Sequence, residues 1–209
     1  SKGLKMNTQI IAIAGGTGSG KSFLAKSLLD MYPKEQMLII KQDSYYKSLT
    51  NLNYKDRCKQ NFDHPGAIDW ILIEDHLKQL LSGDTIYCPI YDFTKHLRKK
   101  NTQKIKPCPF IVVEGILMLH YTRLLEFYSL KVFIETPESI RIKRRIDRDI
   151  RLRGRTLESI KKQYYSTAKP MHEKYVQPSK SLSDIVLNGT DLVENLVKEV
   201  KTKIDLVSE

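Results

Sequence analysis

The chain has 209 residues, 41% hydrophobic and 28% charged, a balance that excludes a disordered chain and suffices for one domain with a real core. No uninterrupted apolar stretch reaches about 18 residues and no apolar signal core opens the sequence, so a spanning helix and export are not expected and the chain reads as cytoplasmic. The formal charge of +11 invites a nucleic-acid reading, because clustered Lys and Arg neutralise phosphates whatever molecule carries them.

Ser1 to Lys5, ahead of Met6, reads as a flexible leader. Gln9 to Ala14 (QIIAIA) is a β-branched apolar run that ends at glycines, the pattern of a buried parallel strand. Ser22 to Met31 carries Phe23, Leu24, Leu28 and Leu29 at helical spacing and stops before Pro33, and Met37 to Ile40 comes next as a second strand. Strand, glycine loop, helix and strand make a βαβ unit. An amphipathic helix is expected over Ile68 to Leu81, closed by Ser82-Gly83, with Trp70 and its aliphatic stripe in the core. Thr85 to Ile90 and Ile105 to Pro107 read as short strands flanking a polar excursion, a hairpin over about residues 84–107.

Three further buried strands are expected at Phe110 to Val113, Leu130 to Ile134 and Asp184 to Leu187. Strands that alternate with helices predict an α/β fold, a doubly wound and mostly parallel sheet in a single domain. Thr136-Pro137-Glu138 offers a capping hydroxyl, a proline for the first turn and an acid at the positive helix end. The helix it opens is rich in arginine: Arg141 to Arg155 holds eight cations against Asp147 and Asp149, six of the eleven net charges. Gly154 should break it and Thr156 should cap the next helix. Pro170 and Pro178 should then interrupt the segment leading to a last helix that starts near Asp191. Cys58, Cys88 and Cys108 contain no C-x-x-C pair, which suggests neither a disulfide framework nor a zinc site.

Gly15 to Ser22 reads GGTGSGKS, a full G-x-x-x-x-G-K-[ST] match between a predicted strand and a predicted helix. Such a loop wraps a phosphate chain because glycines let the backbone approach, so that Gly15, Gly16, Thr17, Gly18, Ser19 and Gly20 turn N–H groups inward beside a positive helix end. Lys21 is expected on the β and γ phosphates of ATP and Ser22 on Mg²⁺. Glu114 ends an apolar strand where such proteins place a metal-steadying carboxylate, although an acid after a strand is also a common loop residue. Asp43 comes just after the second strand, placed either as a proton acceptor for an attacking hydroxyl or as a solvated loop residue. His64, His76, His120 and His172 are assigned no chemistry. Asp63-His64-Pro65-Gly66 matches D-x-x-G, but no N-K-x-D guanine motif accompanies it.

The P-loop occurs together with QDSYY (Gln42 to Tyr46), NFDHPGAID (Asn61 to Asp69), PIYDFTKHLR (Pro89 to Arg98), VVEGIL (Val112 to Leu117) and RRIDRDIRLRGR (Arg144 to Arg155). In this set the chain resembles the uridine-cytidine kinases over roughly Ile10 to Gly189. Phosphoribulokinases and pantothenate kinases share the general plan. The resemblance implies phosphorylation of uridine and cytidine on the 5′-hydroxyl in pyrimidine salvage, with ATP and Mg²⁺. It assigns Asp43 as base and Asp63 to the ribose hydroxyls. Tyr91 and His96 fall on the pyrimidine edge, and Arg145, Arg155 and Gln163 on further nucleoside contacts. Arg148 and Arg153 become lid arginines facing the phosphates, in a lid over about residues 137–169, and Asp184 a residue near the nucleotide base. It also implies a homotetramer. The chain departs from the family pattern at Gly66 and at Asn188-Gly189.

A nucleotide-driven switch would account for the P-loop alone. An RNA-binding module would use the basic segment but leave the P-loop idle and lacks an aromatic stacking motif.

Overall fold

The strand that feeds the glycine loop, β1 (Gln9–Gly15), lies at the centre of the protein and determines how everything else is layered. The computed structural model describes residues 7–209, so the leader expected at Ser1 to Lys5 lies outside the described residues. Helix α1 (Lys21–Asp30) comes next, then β2 (Met37–Lys41), a short helix α2 (Tyr54–Cys58) and α3 (Trp70–Ser82). A hairpin of β3 (Ile86–Asp92) and β4 (Leu97–Ile105) precedes β5 (Phe110–Glu114), β6 (Leu130–Glu135) and the long arginine-rich helix α4 (Glu138–Arg153). Short helices α5 (Leu157–Gln163) and α6 (Lys169–Met171), strand β7 (Ile185–Asn188) and helix α7 (Val193–Val207) complete the order.

The main sheet is β2-β5-β1-β6-β7, parallel at every pairing. Alternation along β1 divides its side chains between two layers, as the pleat requires. Ile10, Ala12 and Ala14 meet Trp70, Ile73, Leu77 and Leu80 of α3 together with the hairpin. Ile11 and Ile13 meet Leu24 and Leu28 of α1 and Leu196, Val200 and Ile204 of α7. Each such buried aliphatic side chain contributes about 2 kcal/mol over its exposed state. Trp70 is buried as expected, with Nε1 donating to Pro65 O at 2.8 Å and the ring stacked on Tyr121. Among the described residues no helix is long and apolar enough to cross a membrane.

Three local expectations are corrected. The polar excursion is itself the second hairpin strand, since β4 runs from Leu97 to Ile105 and pairs Ile86 with Ile105 and Asp92 with Leu97. It shows no apolar alternation because nearly all of it faces solvent. Thr136 does not cap α4: Pro137 stands at that position, and the Thr136 hydroxyl donates to Ser19 O at 3.0 Å, tying the end of β6 to the glycine loop. Pro170 does not interrupt the helical path, which widens into π-turns at Tyr164–Ala168 and His172–Val176 on either side of α6 before tightening into a 3₁₀ turn at Gln177–Leu182. The wider turns absorb the missing proline N–H. Thr156 caps α5 as expected, accepting from Ser159 N.

Candidate active site

In an open parallel sheet ligands gather at the carboxyl ends of the strands. Here β2, β5 and β1 are neighbours, with Lys41, Glu114 and Ile13 in register, so Asp43, Glu114 and the glycine loop emerge side by side. Gly18 (φ 74°) must be glycine, because a Cβ there would run into the Arg141 carbonyl. Ser22 Oγ donates to Glu114 Oε1 at 2.9 Å. Two oxygen donors so placed fit Mg²⁺, which takes one or two protein ligands and fills its shell with water and phosphate oxygens. Burial pushes the Glu114 carboxyl up, opposed by the Lys21 ammonium. Burial likewise pushes Lys21 down to about 8 against the pull of Glu114 and Asp43, and Lys21 Nζ donates to Gly16 O at 2.9 Å. A buried cation among glycine amides, with the Ser19 hydroxyl buried and unpartnered beside it, is a cradle suited to a polyphosphate.

Asp43 stands on the short 3₁₀ turn after β2, and Tyr46 Oη donates to its Oδ1 at 3.4 Å. The neighbouring Gln42 is buried and accepts from Leu117 N at 2.8 Å, fastening the turn after β2 to the turn after β5. The spacing between Asp43 and Glu114 is therefore held by a side chain belonging to neither. Asp63 approaches from the loop before α3. Burial pushes its carboxyl up, Arg145 pulls it down, and Asp43 adds a like charge.

The arginine-rich helix converges on one buried acid. Asp149 is 0% exposed, and its carboxylate faces Arg148 Nε at 2.9 Å, Arg155 Nη1 at 3.5 Å, Arg153 Nη1 at 3.7 Å and Arg145 Nε at 3.8 Å. Gly154 turns the chain back (φ 60°), and Arg155 N donates to Asp149 O at 3.2 Å. Arg145 Nη1 donates to Thr17 Oγ1 at 3.2 Å, and both Arg145 and Arg155 donate to Gln163 Oε1. Without a central carboxylate these like charges would repel at such separations.

On the hairpin side the rings of Tyr46, Phe62, Tyr91, Phe93 and His96 gather into an aromatic cluster. Tyr46 contacts the Phe62 and Tyr91 rings, Tyr91 contacts Phe93, and His96 stacks on Phe62 with centroids 4.7 Å apart. The Tyr91 hydroxyl is buried without a partner, and burial pushes it up to about 12. Burial and the Arg57 and Arg155 guanidiniums push His96 down, so its ring is neutral at pH 7. His96 holds φ 53° at the hairpin turn, where Asp92 Oδ1 accepts from Thr94 N and Lys95 N. Arg98 locks the hairpin down by donating to Tyr46 O at 2.9 Å and Asp69 Oδ2 at 3.1 Å.

A family model described as "Phosphoribulokinase / Uridine kinase family" matches residues 10–195. The chain belongs to this family. A uridine kinase from Clostridium novyi (strain NT) is 44% identical over 87% of this chain and 88% of its own length. One from Clostridium perfringens (strain 13 / Type A) is 41% identical over 93% and 97%. The phosphoribulokinase from Rhodobacter spheroides shares the fold with a TM-score of 0.63 at 12% identity, covering 89% of this chain and 74% of that one. D-glycerate 3-kinase from Cryptococcus neoformans var. grubii does so at 0.60 and 15% identity, covering 86% and 82%.

In this member of the family the structure brings together Lys21, Ser22, Asp43 and Glu114 on one side, Asp63, Tyr91 and His96 on another, and Arg145, Arg148, Arg153, Arg155 and Gln163 in the helical segment. It does not bring Asp184 to them. Asp184 precedes the first residue of β7, at the amino end of the sheet, where its carboxylate accepts from Lys131 N at 2.7 Å. The opposite end of β7 faces the loop instead: Arg144 donates to Ser19 O at 3.2 Å and to Gly189 O at 2.9 Å, joining α4, the glycine loop and the turn after β7. Sequence reasoning missed Gln42, Phe62, Phe93, Arg144 and Asp149. For Asp149 a signal existed, as one of only two acids in the arginine run.

Proposed function

We propose that this protein transfers the γ-phosphoryl group of ATP to the 5′-hydroxyl of uridine and of cytidine. The observation that carries this is the position of Asp43 on the turn after β2: its charge acts on Lys21 and Glu114 on the phosphate side and on Asp63 on the pocket side. The names of the 41–44% identical relatives support uridine as the acceptor.

In this scheme Asp63 receives the ribose hydroxyls, and the Phe62, Phe93 and Tyr46 rings enclose one flat base. Tyr91 and neutral His96 can each donate or accept, so they satisfy either a carbonyl or an amino group on the pyrimidine edge. Asp43 takes the proton from the 5′-hydroxyl as the oxygen attacks. Lys21 and the lid residues Arg148 and Arg153 stabilise the charge on the migrating phosphoryl group, and the lid excludes water. Mg²⁺, held by Ser22 and Glu114, would neutralise phosphate charge.

The test is ATP turnover against a panel of uridine, cytidine, adenosine, ribulose 5-phosphate and pantothenate. Turnover with the two pyrimidine nucleosides and a 5′-monophosphate product is expected. Turnover confined to a non-nucleoside acceptor, or slow hydrolysis that ignores every acceptor, would overturn the proposal.

A further inference from the structure

His172 has no part in the phosphoryl-transfer scheme, yet its ring lies against the glycine loop. A Cβ built on Gly16 would meet His172 Cε1 at 2.7 Å, His172 Nδ1 at 2.8 Å and Arg141 Nη1 at 2.8 Å, so the two side chains together fill the space beside Gly16. Both polar atoms there, His172 Nδ1 and Arg141 Nη1, are buried and have no hydrogen-bond partner.

The protonation pattern of the ring is set from its other side. Lys180 Nζ meets Glu135 Oε2 at 2.8 Å, and Gln177 Nε2 donates to the same carboxylate at 3.2 Å. A carboxylate only accepts, so the Gln177 amide must turn its NH₂ to Glu135 and its Oε1 to His172 Nε2, 3.1 Å away. His172 Nε2 therefore carries the proton and Nδ1 is a bare acceptor beside the unpartnered Arg141 donor. Burial and Arg141 push the ring down to about 4, which keeps it neutral at pH 7.

We propose that His172 is a positioning residue for the phosphate loop: the Nδ1 edge of its ring and the Arg141 guanidinium close on the side of Gly16 from which a Cβ would project, and this clamp holds the loop by contact. This rests on the nucleotide-binding role of the loop. Gly16 O now holds Lys21 Nζ at 2.9 Å. When Lys21 turns to a phosphate, Gly16 loses that bond, and the His172–Arg141 clamp keeps the backbone amides aimed while the lysine is engaged elsewhere.

Two substitutions separate the ring nitrogens, because an asparagine amide occupies the place of Nδ1 and a glutamine amide that of Nε2. His172→Gln should raise the KM for ATP about tenfold with kcat within about threefold, and His172→Asn should recover most of that loss. The nucleoside KM should stay put in both. The reverse order, with Gln active and Asn impaired, would overturn the clamp in favour of the Gln177 tether. Equal loss in both with a fall in Tm would reduce His172 to packing. Nitrogen-15 shifts of ligand-free wild-type protein should report an Nε2–H tautomer that stays neutral at about pH 6, and an Nδ1–H tautomer or a charged ring would overturn the proposal. That measurement needs no nucleotide, so failure to bind ATP would remove the function assigned to the loop, while a wrong tautomer would remove the role assigned to His172.

Discussion

Ser22 Oγ donates to Glu114 Oε1 over 2.9 Å, linking the start of α1 to the end of β5 across two adjacent strands. Burial holds the Glu114 carboxyl above its ordinary range. A raised carboxyl contributes stability that is lost as pH rises through its folded value, so ionisation of Glu114 works against the fold, a burden that its ligand role explains. Glu114→Gln should therefore leave Tm unchanged or higher while raising the Mg²⁺ needed for half-maximal rate by about tenfold or more. Unaltered Mg²⁺ dependence would remove Glu114 from the metal site.

Asp149 neutralises part of a field from four guanidiniums, two of them 37% exposed. Removing one partner of a buried pair costs several kcal/mol, and solvent screening of the outer arginines reduces that here to about 2 kcal/mol. Asp149→Asn should lower Tm by several degrees and kcat by about 10², through arginines that no longer converge. Wild-type kcat in that variant would show that the arginines find their places without it.

Lys21 is pushed from its ordinary 10.5 down to about 8. Between those values the unfolded chain binds a proton that the folded chain does not, so this group makes stability rise with pH across that window, by at most about 3 kcal/mol. Urea unfolding of ligand-free wild type and Lys21→Met from about pH 7.5 to 9.5 isolates this contribution, since other titrations cancel in the difference. The wild type should gain relative to the variant as pH rises, and parallel curves would contradict the burial of a charged Lys21.

His96 presents a neutral ring to the pocket from a left-handed turn position. His96→Tyr substitutes a group with a different reach and one rotatable hydroxyl. The ratio of uridine to cytidine efficiency should shift by about tenfold, or about 1.4 kcal/mol of differential transition-state binding. An unchanged ratio would move base selection to Tyr91 or the neighbouring rings.

Much of the fold was legible because β1 and β5 are short, continuous apolar runs of the kind buried on both faces of a parallel sheet, and GGTGSGKS marks the functional end of β1. The extent of β4 was not, since a solvent-facing strand of Lys, Asn, Thr and Gln has no apolar rhythm. The continuity past Pro170 depends on π-turns, which leave no mark in residue spacing. Asp184 was misplaced although its place at the start of the expected strand already put it at the end away from the ligand side. His172 read as an ordinary histidine because what distinguishes it, contact with Gly16, joins residues far apart in the chain.

The central claim is that Asp43 sits where a nucleoside hydroxyl meets the phosphate chain. The most direct test compares wild type and Asp43→Asn for formation of uridine 5′-monophosphate from ATP and uridine, with ATP affinity measured in parallel. Wild type should form the product, and the variant should lose about 10² to 10⁴ in kcat with ATP affinity nearly retained. An Asp43→Asn enzyme of near-normal kcat, or one that loses ATP binding instead, would contradict it.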